Sequence, residues 1–476
     1  MPPKSGIEPD TIAALATPPG IGALAVVRIS GPDAFAILES LASHSGPDDG
    51  GSPALPEPRR ATLRDIRDPE TEELLDRALV TVFPGPGSYT GEDVVEISGH
   101  GGFLSARLLV EACLRSGARE AEPGEFTRRA YLNGRMDLVQ AEAVIDLVEG
   151  RNRGIRRAAL HQLDRGLSTR ISELREELVE LEALLTHHLD FPDEDEPPVS
   201  VERVIERSKA VCQSLRSLAE TAPEGELLRE GATTVLAGRP NSGKSSLFNA
   251  LLGRERAIVT EVAGTTRDAL EAVASVGGFP FRLVDTAGLR ESGDRIERIG
   301  IEVARRYLRE ADVVLFCVEA GRELQSDEEE FLRETRGVPG VLVRTKADRL
   351  EGGAAEAEEE GTEPGETGVR WPSVRTSAHS GEGLARLRKL LPGIVYRGLA
   401  SVEGEVPVVT RARQARGIRH GLTEVEAFAR ALEEGVPAEM AATHLRSAET
   451  ALEEVLGVIS GDDVLDRVFR DFCIGK

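Results

Sequence analysis

The octapeptide GRPNSGKS, Gly238–Ser245, constrains this chain more than any other feature. It fits the pattern G-x-x-x-x-G-K-[ST], with the β-prone TTVLA before it and the helix-prone SLFNALLG after it. Such a loop works only between a strand and a helix N-terminus, where backbone amides converge on an anion. The segment therefore predicts the first strand, loop and helix of an α/β domain. Amides across Asn241, Ser242, Gly243 and Ser246 form a phosphate cradle, Lys244 reaches the outer phosphates, and the Ser245 hydroxyl faces Mg²⁺.

The flanking pattern agrees. Between about 230 and 395 the short apolar runs TTVLAG, FRLVDTAG, VVLFCVEA and GVLVRTKAD alternate with helical stretches, the rhythm of a doubly wound sheet. DTAG at 285–288 ends one run, placing Asp285 near the metal and Gly288 where a terminal phosphate is sensed. TKAD ends another: Lys346 lies beside the base, and Asp348 can accept from both the N1–H and the amino group of guanine, which adenine cannot supply. TSA at 376–378 aims the Ser377–Ala378 backbone at the guanine carbonyl. The expected nucleotide is GTP. Thr345 stands where this motif more often has Asn, which predicts that one tethering hydrogen bond is weaker, while the Asp348 carboxylate still discriminates. Leu289 occupies the place of a water-orienting Gln, so hydrolysis needs another group, and Glu291, Asp294 and Glu297 are acidic candidates.

At 476 residues the chain has room for about three domains. Residues 1–120 mix strands such as ALAVVRIS and EDVVEIS with glycine- and proline-rich turns and read as α+β. Residues 121–224 and 396–476 show helical periodicity, and neither closes a core alone, so the α/β segment at 225–395 reads as an insertion into a helical domain. The run EGGAAEAEEEGTEPGETG at 351–368 has the composition of a disordered acidic loop.

A formal net charge of −24 argues against nonspecific coating of nucleic acid, so RNA contacts must be local. Two basic clusters exist, RNRGIRR at 151–157 and RARQARGIRH at 411–420; each reads first as a solvated helix face. Cys113, Cys212, Cys317 and Cys473 are widely spaced, which predicts neither disulfides nor a zinc site. No signal-peptide pattern or span-length apolar run appears, and a cytoplasmic location without membrane contact is expected. Only six lysines accompany a large excess of arginine, and Lys244, Lys346 and Lys476 fall at points where a compact ammonium is useful. The end of the chain, CIGK, places Cys473 fourth from the terminus, but Gly475 and Lys476 do not make a prenylation box.

Nearly the whole chain resembles the MnmE (TrmE) family of tRNA modification GTPases. The resemblance is carried by TIAALATPPGIGALAVVRISG, FPGPGSYTGEDVVEISGHGG, PGEFTRRAYLNGRMDLVQAEAVIDLVEG, GRPNSGKSSLFNALLGRERAIVTEVAGTTRD, DTAGLRESGDRIERIGIE and the terminal FCIGK. It implies three parts: an N-terminal α+β domain binding a one-carbon tetrahydrofolate (the 5-formyl or methylene form) and mediating homodimerisation, a discontinuous helical domain, and an inserted Ras-like G domain. It also implies a K⁺ ion held by Asn241, Thr260, Val262 and Thr265, with Thr266 joining Ser245 on Mg²⁺, and Glu297 as the water-orienting acid. Folate contacts map to Arg28, Glu96, Arg135 and Lys476, and Cys473 is implied to lie beside the folate with a catalytic part in one-carbon transfer. The implied activity, with an FAD- and NADH-using MnmG (GidA)-type partner, is addition of an aminomethyl or carboxymethylaminomethyl group to C5 of the wobble uridine. Two other readings stand beside it: a regulatory or ribosome-assembly GTPase without modification chemistry, and a folate-dependent methyl transferase with an accessory G domain.

Overall fold

A computed structural model describes residues 10–43, 55–150, 152–190, 200–253, 271–285, 307–335, 337–350, 371–400, 407–459, 461–470 and 472–476. The acidic run 351–368 and residues Thr260, Val262, Thr265, Thr266, Gly288, Leu289, Glu291, Asp294 and Glu297 lie outside them. The chain divides into two units, one formed by Met1–Ile145 with Glu449–Lys476 and the other by Asp146–Ala448.

In the first unit the strands are β1 (Ile12–Leu15), β2 (Leu24–Ser30), β3 (Ala42–Ser43), β4 (Thr62–Arg67), β5 (Leu74–Phe83), β6 (Val94–His100) and β7 (Arg119–Glu120). They form one sheet in the order β3-β4-β5-β6-β2-β1-β7, antiparallel except where β1 meets β7. Helices α1 (Ala34–Leu41) and α2 (Phe103–Arg115) pack on it. Alternation along β2 sends Val27 and Ile29 into the core with Val80, Val95, Ile97, Leu38 and Leu109, and leaves Arg28 on the opposite face. Register sets Arg28 directly across from Glu96. Helix α3 (Glu125–Leu132) and α4 (Leu138–Glu149) follow, the latter crossing the boundary between the units.

The second unit continues with α5 (Arg153–Leu163), α6 (Gly166–Asp190), α7 (Val201–Glu220) and α8 (Ala222–Glu230). Then come β8 (Ala232–Ala237), α9 (Lys244–Leu252), β9 (Glu271–Val276), β10 (Phe279–Asp285), β11 (Val313–Glu319), α10 (Ser326–Glu334), β12 (Gly340–Thr345), β13 (Ser373–Arg375), α11 (Leu384–Val395) and α12 (Arg397–Ala400). The sheet order is β13-β12-β11-β8-β10-β9, parallel throughout except for edge strand β9. β8 is buried at all six positions and β11 at all but its last, as expected of strands covered on both faces. Tyr396 closes this core: its ring packs on Phe279 and Phe281, and its hydroxyl donates to the carbonyls of Pro280 (2.6 Å) and Leu227 (3.1 Å).

Helix α13 (Ala412–Glu433) packs on α7, and α14 (Ala438–Leu456) runs across the unit boundary. Within the second unit, Gln162 of α5 donates to the Val408 carbonyl at 2.8 Å, and Arg411 pairs with buried Asp146. Segments before and after the α/β sheet are thus tied to each other across some 250 residues of sequence. The first unit is completed by α15 (Asp462–Arg470), whose Leu465 and Phe469 join Phe472, Tyr131, Leu138 and Ile145 in one apolar cluster. Among the described residues no helix is long and apolar enough to cross a membrane.

Candidate functional site

The candidate nucleotide site lies at the carboxyl ends of the parallel strands, where Ala237, Asp285, Glu319, Thr345 and Arg375 end their runs. Between β8 and α9 the loop needs three left-handed or otherwise positive φ values: Gly238 at 137°, Asn241 at 61° and Gly243 at 89°. At Gly238 a Cβ would collide with the Cys317 carbonyl on β11, so only glycine passes. Lys244 is buried, and its ammonium donates to the carbonyls of Gly238 (3.0 Å) and Arg239 (2.7 Å), which holds it folded back over the loop. Ser245 donates to Asp285 Oδ2 at 2.7 Å, bringing a hydroxyl and a carboxylate together at one point. That donor pair suits Mg²⁺, a hard cation bound by few protein oxygens plus phosphate and water. Ser242 adds a further sign of a ligand: its hydroxyl is buried with no partner among the described residues. Asn241 and Ser246 are exposed at the loop.

Thr345 does more than its sequence suggests. Buried at the end of β12, it donates to the Ser242 carbonyl at 2.6 Å and also lies 3.3 Å from the Val318 carbonyl. The shorter side chain thus ties the phosphate loop to the end of β12. Lys346 adopts φ 56° and pairs with Glu319 at 3.2 Å. Asp348 accepts from the Ser377 hydroxyl at 2.6 Å, and this bond, ahead of the backbone and the nearby His379 and Arg349, holds its carboxyl below the usual value of 3.8. The Ser377 oxygen in turn accepts from the amides of His379 and Ser380, so the loop that carries Ala378 is built around this serine. Behind the phosphate loop the Cys317 thiol is pushed up to about 12 by burial.

A second constellation sits in the first unit. Arg28 makes two bonds to Glu96 Oε1, at 3.0 and 2.7 Å, and a third, at 3.4 Å, to the carbonyl of Gly475 in the terminal tail. Its guanidinium lies 5.4 Å from the ring centre of Tyr89 and 5.7 Å from that of Phe126. Gly475, at φ 90°, packs against Leu15 and Ala16, which leaves no room for a side chain. Burial, then repulsion from Arg28, holds the Lys476 ammonium below its ordinary value against the opposing pull of Glu96 and Cys473. Cys473 is exposed, and its carbonyl accepts from the Lys476 amide at 3.3 Å. Arg135 is exposed, and its stem lies against Gly91 in the loop that carries Tyr89. Tyr89 and Phe126 escaped the sequence reading, because aromatic residues in a turn and at a helix start give no periodic signal of the cation they hold.

Two family models match: the MnmE helical domain over residues 138–473 and the GTP-binding protein TrmE N-terminus over residues 11–135. The chain is 40% identical over 474 residues to the tRNA modification GTPase MnmE of Heliobacterium modesticaldum, covering 98% of this chain and 99% of that protein. It is 42% identical over 470 residues to the namesake of Moorella thermoacetica, again covering 98% and 99%. Among solved structures it is similar to the G domain of the T. maritima FeoB iron transporter, at 28% identity over 34% of this chain and 98% of that one, with a TM-score of 0.25. The two family models together run from residue 11 to residue 473 and these relatives match 98% of the chain, and the chain belongs to the MnmE family of tRNA modification GTPases.

Proposed function

We propose that this chain is a K⁺-dependent GTPase that works with an FAD- and NADH-using MnmG-type partner to place an aminomethyl or carboxymethylaminomethyl group on C5 of the wobble uridine of certain tRNAs. The reading is carried by one observation: a terminal tail bonded to Arg28, itself paired with Glu96, exists in the same chain as a guanine-type nucleotide site. Lys244, Ser242 and the loop amides bind the phosphates of GTP, Ser245 and Asp285 hold Mg²⁺ together with Thr266, and Asp348 with the Ser377–Ala378 backbone selects guanine. Asn241, with Thr260, Val262 and Thr265, holds K⁺, which supplies fixed positive charge beside the phosphates. Glu297 orients the attacking water, since Leu289 cannot.

In the N-terminal part, Glu96 accepts from the paired N–H donors of a one-carbon tetrahydrofolate, and Arg28, Arg135 and Lys476 provide cations for its acidic portion. The exposed Cys473 thiol stands next to that site. We assign residues 1–120 to folate binding and homodimerisation, 225–395 to the G domain, and 121–224 with 396–476 to the helical domain, with the whole working in the cytoplasm. Mass spectrometry of wobble nucleosides from cells lacking the protein tests the reading. Loss of the C5-modified uridine is expected, and an unchanged nucleoside profile overturns it.

A further inference from the structure

The basic cluster at 151–157 is left unused by the nucleotide and folate sites, and its place in the fold gives it a partner. Arg153 of α5 lines a cleft of about 620 Å³ together with Arg388 and Lys389 of α11, Leu252 at the end of α9, and Ser275 and Gly277 at the β9–β10 turn. Helices α5 and α11 carry six cations, Arg153, Arg156, Arg157, Arg386, Arg388 and Lys389, and no acidic residue at all. On a chain with 82 acidic residues and a net charge of −24, two helices bordering one cleft without a single carboxylate form a local positive surface.

The cations are held differently. Arg388 is fixed, donating to the Ala250 carbonyl at 2.8 Å near the end of α9. Arg153 and Lys389 make no ion pair or side-chain hydrogen bond with any described residue. Exposed Arg156 and Arg386 are likewise uncommitted and extend the positive surface along the two helices. The first turn of α5 is already occupied: the Gly154 amide donates to the Gly278 carbonyl at 3.1 Å and the Ile155 amide to Asn152 Oδ1 at 2.8 Å. An anion entering this cleft is therefore read by arginine and lysine side chains rather than by a helix terminus.

We infer that this cleft is a phosphate-binding contact for the sugar–phosphate backbone of tRNA, resting on the reading that the chain acts on tRNA. Free phosphate is the other source of the same chemistry. The cleft's size favours a phosphate with its sugar attached, and the uncommitted Arg156 and Arg386 suit a chain of phosphates more than a single one. Such contacts position RNA without reading its sequence.

The test measures binding of unfractionated tRNA to the full-length protein by fluorescence anisotropy across a salt series, for wild type and for the double variant Arg153→Ala, Lys389→Ala. Folding is monitored by the thermal unfolding midpoint, and Arg156→Ala provides a second variant at an exposed position. The double variant should bind tRNA about tenfold more weakly, with the slope of log affinity against log salt reduced by about one to two, because each lost phosphate contact removes close to one released counterion. Wild-type affinity and slope in both variants overturn the proposal and leave the tRNA reading standing. Absence of tRNA binding by the wild type overturns both. Millimolar inorganic phosphate is the second arm: if it binds to the wild type and not to the double variant while tRNA binding is equal in the two, the ligand is free phosphate and the RNA assignment is wrong.

Discussion

The hydroxyl of Thr345 donates to the backbone carbonyl of Ser242 at 2.6 Å, linking the end of β12 to the middle of the phosphate loop. Both groups are buried, so loss of the donor leaves a carbonyl unsatisfied, at about 1–3 kcal/mol. Thr345→Val, close in shape but lacking the hydroxyl, should weaken GTP binding by roughly tenfold, measured by equilibrium titration with a fluorescent nucleotide. Thr345→Ser, which keeps the donor, should restore most of the affinity; equal affinities for the Val and Ser variants would show that the tether carries no weight.

On the proposed reading, in which K⁺ is held by Asn241, Thr260, Val262 and Thr265, GTP hydrolysis should require K⁺ and be slow in Na⁺. Asn241→Ala should abolish the K⁺ stimulation with GTP still bound, and Glu297→Ala should lose about 10²–10³ in turnover at unchanged nucleotide affinity. Steady-state rates in the two salts, and of Glu291→Ala and Asp294→Ala alongside, decide this. A larger loss in either neighbour reassigns the acid.

Arg28 binds Glu96 and the tail carbonyl together, so Arg28→Ala should free the tail and reduce affinity for a reduced folate by about tenfold to a hundredfold, the value of one or two charge-assisted hydrogen bonds. Cys473→Ser should keep folate binding and GTP hydrolysis and still lower the level of modified uridine. Calorimetry of folate binding and nucleoside mass spectrometry separate the two effects, and full modification in Cys473→Ser places the thiol in a packing role.

Near the start of α3 an ionic network predicts acid sensitivity. Arg119 bonds Asp10 (2.7 Å) and Glu125 (2.7 Å), and Arg129 bonds the same two acids at 2.6 and 2.9 Å. The Arg119 bond leads in holding Asp10 below its ordinary 3.8. Burial opposes the charge on Glu125, but its bonds to Arg119, the Glu122 amide and Arg129 outweigh that cost and hold it below 4.5. Both folded values are depressed, so their stabilisation is fully present above about pH 5 and is lost as pH falls through the folded values, which lie below the ordinary 3.8 of Asp10 and 4.5 of Glu125. Glu125→Gln should lower the unfolding midpoint of the first unit at pH 7, at a cost of about 1–3 kcal/mol, and the gap to wild type should narrow as pH falls from 5 toward 3. A gap constant from pH 7 to pH 3, followed by circular dichroism, would exclude the network as its source.

Local chemistry carried most of the architecture. The glycine spacing of residues 238–245, the all-apolar β8 and the alternation of β2 are properties of adjacent residues, and strand, turn and helix propensities act at that range. They fixed the α/β domain, its nucleotide motifs and the side of the first sheet on which Arg28 stands. What no spacing encodes is which distant groups meet. Gly475 lies 447 positions from the arginine that bonds it, Thr345 lies 103 from the carbonyl it secures, and Arg153 and Lys389 come to one cleft from helices more than 200 residues apart. These meetings depend on chain closure and on strand register, where shifting a pairing by one residue sends every side chain to the other face. Asn-to-Thr exchange at 345 looks like a loss in the sequence because only the packed structure sets a hydroxyl of that length 2.6 Å from its acceptor.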